Sequence, residues 1–68
     1  MSQALYQRIA ASLRERILSG GHPEGDVMPS ENELADAYRT SRVTVRKAFH
    51  ILEGEGLVVA KQGKGYIV

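Results

Sequence analysis

Arg42, Arg46 and Lys47 lie within the stretch TSRVTVRKAFHILEGEGL, in which no carboxylate precedes Glu53. A guanidinium presents a rigid fork of N–H donors that matches base edges and phosphate oxygens, whereas a lysine adds a compact point charge. Ser41 and Thr44, beside them, bring hydroxyls that can bond a phosphate oxygen. Lys61 and Lys64 form a second basic stretch without acids. The chemistry within reach of these residues is recognition of an anionic polymer by charge and directed hydrogen bonds.

Other chemistries find less support. His50 and Glu53 stand three apart, but His22 belongs to a distant loop and there is no cysteine, so no ligand set with metal spacing is complete. Ser30, Ser41 and the histidines form no recognisable arrangement of nucleophile, base and orienting acid, so no enzyme is expected. The glycines of QGKGY sit between apolar runs of strand type rather than before a helix, which argues against a nucleotide-binding loop. No cofactor is expected.

The chain has 68 residues, enough for one small domain and one core. Nine Lys plus Arg against eight Asp plus Glu leave a net charge of only +1, so a partner must be read from where the charges lie. Residues 24–36 carry Glu24, Asp26, Glu31, Glu33 and Asp36 with no cation, and Arg39, Arg42, Arg46 and Lys47 follow. No run is apolar enough to cross a membrane. The segment MSQALYQRIA lacks the apolar centre of a signal peptide, which with the absence of cysteine points to the cytoplasm.

Positioning these residues requires a scaffold, and its elements are legible in order. Leu5, Ile9, Leu13 and Ile17 recur every four residues, giving an amphipathic helix over about 5–19 that ends at Gly20 and Gly21. The run DVM, residues 26–28, is a candidate edge strand. In PSENELADAY, Ser30 is an N-cap and Glu33 can complete a capping box, which starts a short helix over 30–38. A tight turn follows, and Ser41 caps a third helix over 41–54. Along this helix Val45, Ala48, Phe49 and Leu52 share one sector, while Val43, Arg46, Lys47 and His50 lie roughly opposite. LVVAK and YIV, joined by a four-residue basic tip QGKG, read as a hairpin within residues 57–68. The fold class is mainly α with a small β-hairpin: a winged helix-turn-helix of three helices and a short antiparallel sheet, forming one domain over 1–68. Two short helices joined by a tight turn, the second exposing cations near its start, suit insertion into a DNA major groove.

The motifs MPSENELA, SRVTVRKAFHILEGEGLV and QGKGYIV resemble the pattern LPSExELA, SRxTVRxALxxLExEGL and GxGTxV of the N-terminal domain of the GntR family of bacterial transcription regulators, most closely those of the HutC type. The resemblance runs from about Leu5 to Val68. It implies a homodimer on a palindromic operator of double-stranded DNA, usually a repressor, with a small-molecule effector bound by a separate C-terminal domain. It implies that Arg42 and Arg46 read bases and bind phosphate, that Ser41 and Thr44 contact phosphate, and that Gln62 and Gly63 form the wing tip at the minor groove. Asn32 stands where many members carry an arginine, which alters one contact. Arg39 stands where the inter-helix turn often has glycine, and a left-handed backbone there would cost about 1 kcal/mol. Thr40 replaces a common aliphatic residue.

The residues expected to meet DNA are therefore Ser30, Asn32, Ser41, Arg42, Val43, Thr44, Arg46, Lys47, Gln62, Gly63 and Lys64. Each has an ordinary structural explanation beside the functional one. A solvated face accounts for isolated cations, Thr44 can bond a preceding carbonyl, and Ser41 can be a cap alone. The hairpin glycines are needed for positive φ whether or not DNA is bound. Tyr6, Tyr38, Phe49 and Tyr66 sit on apolar faces and are expected in the core rather than against bases. A rival from another class is a winged-helix module for protein association, with Val43 and the basic face meeting an acidic partner.

Overall fold

The computed structural model describes residues 4–68; residues 1–3 of the domain expected over 1–68 lie outside the described residues. The order is α1 (Leu5–Leu18), α2 (Glu31–Tyr38), α3 (Arg42–Gly54), β1 (Val59–Lys61) and β2 (Gly65–Ile67). This is the three-helix, two-stranded winged helix-turn-helix that the apolar periodicity implies.

Helix α1 buries Ile9, Ala10 and Leu13 along one stripe. Its start is closed by the Gln7 side chain, whose Oε1 accepts the Ala4 N–H at 3.1 Å. At its end Gly20 takes φ 90°, and the Gly21 N–H donates to the Arg16 carbonyl at 2.8 Å, satisfying an otherwise orphaned acceptor. Helix α3 contacts both α1 and α2, and its Val45, Ala48, Phe49 and Leu52 are fully buried. Leu34 and Ala35 of α2, with Met28 and Val58 from the connecting segments, complete the core. A bidentate pair ties the first helix to the end of the third: Arg14 Nε and Nη2 donate to Glu55 Oε1 and Oε2, each at 2.8 Å.

Both expected N-caps form. Ser30 Oγ accepts the Glu33 N–H at 3.0 Å, and Ser41 Oγ accepts the Thr44 N–H at 3.2 Å. The capping box of α2 is only half made, since the Glu33 carboxylate returns no bond to Ser30 among the described residues. The turn between α2 and α3 passes through Arg39, which is left-handed at φ 54° and ψ 53°. That backbone lets the Thr40 N–H reach the Ala35 carbonyl at 2.9 Å and close α2.

Two sequence expectations need correction. The strand anticipated over 26–28 is a single antiparallel bridge, Val27 with Ile67. Pro29 has no N–H to extend the ladder, and Gly25 at φ 90° turns the chain before it. The segment is nonetheless fastened to the sheet, with Met28 N–H donating to Tyr66 O at 2.8 Å and Val68 N–H to Asp26 O at 2.9 Å. The hairpin tip is tighter than the four residues QGKG, because Gly65 already pairs with Lys61. A turn closed by the Lys64 N–H on the Lys61 carbonyl, 3.0 Å, leaves Gln62, Gly63 and Lys64 at the tip. Gly63 there has φ 79°, a conformation L side chains avoid.

Candidate nucleic-acid interface

The exposed side of α3 begins at its cap. Ser41 Oγ lies 3.1 Å from Thr44 Oγ1 as well as accepting the Thr44 amide, so two hydroxyls meet at the positive end of the helix dipole. Arg42, Val43, Arg46 and Lys47 are exposed, and Thr44 is half-buried beneath them. Val43 leaves 57% of its surface open, on the same exposed side of α3 as the two arginines.

Arg46 is not a free cation. Its Nε and Nη2 donate to Glu31 Oε2 and Oε1 at 3.1 and 3.0 Å, joining α3 to the first residue of α2. The Tyr66 hydroxyl, from the wing, lies 3.5 Å from the same Oε2. These donors, Arg46 foremost, hold the Glu31 carboxyl below the usual carboxylate range, and Glu31 in turn raises Arg46. The Tyr66 hydroxyl is pushed up, mainly by burial and then by the Glu31 charge. The acidic and basic stretches that are separate in sequence thus meet in space.

Lys47 points to another side, its Nζ 5.7 Å from the centre of the Tyr6 ring on α1. A cation over a ring face at this distance is weakly attracted, which draws Lys47 toward α1. Of the four aromatics expected in the core, Phe49 is fully buried and Tyr6, Tyr38 and Tyr66 are half-buried. Tyr38 hydrogen-bonds Ser12 Oγ at 3.2 Å, and Tyr66 stacks on Phe49.

Between α2 and the wing runs an open cleft of about 580 Å³. Ser30, Glu31, Asn32 and Arg42 line it from the helices, and Lys61, Gln62, Gly63 and Tyr66 from the wing. Five of the expected contact residues are therefore gathered around one feature, and Ser41, Val43, Thr44, Arg46 and Lys47 continue along α3. Lys64 stands at the wing tip, exposed but outside the cleft lining. Sequence reasoning missed Glu31 and Lys61 as members. Lys61 was visible as part of the second basic stretch, whereas nothing in the sequence marked Glu31 as the partner of Arg46. Among the described residues no group of three or more His, Cys, Asp and Glu could hold a metal, and no helix is long and apolar enough to cross a membrane.

Comparison with known proteins places this geometry in context. The family model for "Bacterial regulatory proteins, gntR family" matches residues 5–68. The Exu regulon transcriptional regulator of Escherichia coli (strain K12) is 46% identical over 61 residues, 90% of this chain and 24% of the relative. The probable fructoselysine utilization operon transcriptional repressor of the same strain is 39% identical over 66 residues, covering 97% of this chain and 27% of that protein. The chain thus spans about a quarter of the length of these curated relatives. Among solved structures, the crystal structure of AraR(DBD) in complex with operator ORR3 superposes with a TM-score of 0.96 at 31% identity, over 100% of this chain and 82% of that one.

Proposed function

Because this chain belongs to the gntR family of bacterial regulatory proteins, we propose that it binds double-stranded DNA sequence-specifically as the operator-reading domain of a transcription regulator. The observation that carries this reading is the arrangement of Arg42 and the wing residues Gln62 and Gly63 around a single cleft that the N-termini of α2 and α3 share, with Arg46 joined to it through its pair with Glu31. Helix α3 is the recognition helix and enters the major groove; the wing turn Gln62–Gly63–Lys64 reaches the neighbouring backbone and minor groove. The solved relative bound to an operator supports the same use of this fold.

In this reading Arg42 and Arg46 discriminate bases, and each bidentate arginine–guanine pair contributes about 1–3 kcal/mol. Val43, exposed beside them, offers an apolar contact to a thymine methyl. Ser30, Asn32, Ser41, Thr44, Lys47, Gln62, Gly63 and Lys64 set the register on the phosphate backbone. The regulator is a cytoplasmic homodimer on a palindromic site, acting as a repressor, and a further C-terminal domain binds the small-molecule effector. The relative described as a repressor supports that direction of control.

Titrating a labelled palindromic duplex at several salt concentrations tests the reading. If about five phosphates are neutralised, log affinity falls against log salt with a slope near about −4.5. A flat response, or loss of a protein complex rather than of duplex binding on Arg46→Ala, would favour the protein-association rival.

A further inference from the structure

Arg39 combines a strained backbone with an unpaired side chain. Its φ of 54° and ψ of 53° are left-handed, the one such conformation at a non-glycine position among the described residues. Glycine enters this region without steric cost and asparagine enters it more readily than most, whereas a long side chain on a Cβ is strained there. The geometry itself serves α2, because the Arg39 and Thr40 N–H groups donate to the Asp36 and Ala35 carbonyls at 3.2 and 2.9 Å. Those are main-chain bonds, which glycine would make equally well. The arginine side chain is exposed, and among the described residues no carboxylate pairs with it. What the fold offers it is a place at the negative end of the α2 dipole, a small and salt-screened attraction in an eight-residue helix. A surface arginine kept in a strained turn therefore has its reason outside the domain.

The position of the turn supplies that reason. Arg39 stands two residues before the Ser41 cap and three before Arg42, and with Thr40 half-buried between them, Arg39, Ser41, Arg42 and Val43 are exposed along the entry to α3. With α3 in the major groove, the segment leading into it lies at the groove's edge, where the sugar-phosphate chain runs. Resting on the reading of this face as a DNA interface, we propose that Arg39 is a phosphate-binding residue: the turn between α2 and α3 holds its guanidinium against the duplex backbone beside the groove that α3 enters. It takes no part in choosing bases, since it precedes the helix that meets them. The fold gives up stability at this turn, and the domain gains a sequence-independent contact.

The test compares the unaltered chain with Arg39→Asn, Arg39→Gly, Arg39→Lys and Arg16→Gln. Arg16 is the control cation: it is exposed at the end of α1, which the Arg14–Glu55 pair ties to the far end of α3. Each variant is titrated, at several salt concentrations, against a duplex selected from random DNA by the unaltered chain and against a scrambled duplex of equal length. Arg39→Asn and Arg39→Gly are expected to weaken binding of both duplexes by the same factor, about five- to tenfold, the size of one charge-assisted contact. Their salt slopes are expected to flatten by about 0.9, the loss of a single phosphate. Arg39→Lys keeps the charge and is expected to restore the slope. Thermal midpoints of the Asn and Gly variants at or above that of the unaltered chain exclude misfolding as the cause. Arg16→Gln is expected to change either affinity by less than about twofold, since a charge far from the duplex is screened. Unchanged affinity and slope in Arg39→Asn would overturn the role of Arg39. So would a loss confined to the selected duplex, a slope that lysine fails to restore, or an equal loss in Arg16→Gln, each with duplex recognition left intact. Failure of the unaltered chain to bind either duplex, or a flat salt response, would overturn the reading of this face itself, and the proposal with it.

Discussion

Phe49 of α3 and Tyr66 of β2 stack with ring centroids 4.0 Å apart and planes inclined by only 8°. Phe49 is fully buried, so the wing is held by a ring that belongs to the core. Two strands of three residues cannot sustain a sheet alone. The stack and the bonds from Met28 and Val68 therefore decide where the wing turn sits relative to the recognition helix. The distance between two parts of the candidate interface is in this sense set by a contact with the core.

Replacing Tyr66 by alanine should accordingly reduce both stability and duplex affinity. Loss of a half-buried ring and its stacking partner is expected to cost about 2–3 kcal/mol, which for a domain of this size lowers the midpoint of thermal unfolding by roughly ten degrees or more. Tyr66→Phe should retain nearly all of the stability. Calorimetry on the two variants checks this, and equal midpoints for Tyr66→Ala and the unaltered chain would show that the stack is not what secures the wing.

Arg39 is the one non-glycine residue with positive φ among the described residues, at 54°. A left-handed backbone strains any side chain with a Cβ, and here the strain persists because the Thr40 amide needs this geometry to reach Ala35. Arg39→Gly is expected to raise stability by about 0.5–1 kcal/mol, the relief of strain outweighing the added freedom of the unfolded chain. Urea unfolding with an unchanged slope and a higher midpoint is the expected outcome. A lower midpoint would mean that the Arg39 side chain contributes more than its backbone loses.

The sequence carries this fold well where the information is local, and poorly where it depends on how elements meet. The two faces of α3 follow from periodicity alone, because Val45, Ala48, Phe49 and Leu52 can share a sector in only one helical register. Ser30 and Ser41 declare their caps because a short acceptor must precede a free amide by a fixed count of residues. Glu31 and Arg46, by contrast, are 15 positions apart, and Arg14 and Glu55 are 41 apart. Their pairing follows from the angle between helices, which no periodicity encodes. The wing is an intermediate case: its glycines announce a turn, but the pairing of Gly65 with Lys61 depends on which turn forms, the one closed by the Lys64 amide on the Lys61 carbonyl. Segregation of charge along the chain was accordingly a guide to the basic face and a poor guide to its electrostatics, since the acidic stretch folds back to neutralise one of its arginines.

Ser41 offers a way to separate a structural role from a contact with DNA. Its hydroxyl caps α3 by accepting the Thr44 amide at 3.2 Å, and it is exposed on the face that carries Arg42. Ser41→Ala removes the cap and is expected to cost about 1 kcal/mol of stability. Ser41→Asp keeps an equally good capping acceptor and places a negative charge at a helix N-terminus, where the dipole favours it, so stability should hold or rise by a few tenths of a kcal/mol, that is about 0.3. If a phosphate sits at this cap in the complex, the new carboxylate meets it at close range. Duplex affinity should then fall further for Ser41→Asp than for Ser41→Ala, although the aspartate variant is the more stable of the two. Paired measurements of urea unfolding and duplex titration decide the matter. Should the aspartate variant bind as tightly as the unaltered chain, Ser41 serves α3 as a cap and no phosphate approaches it.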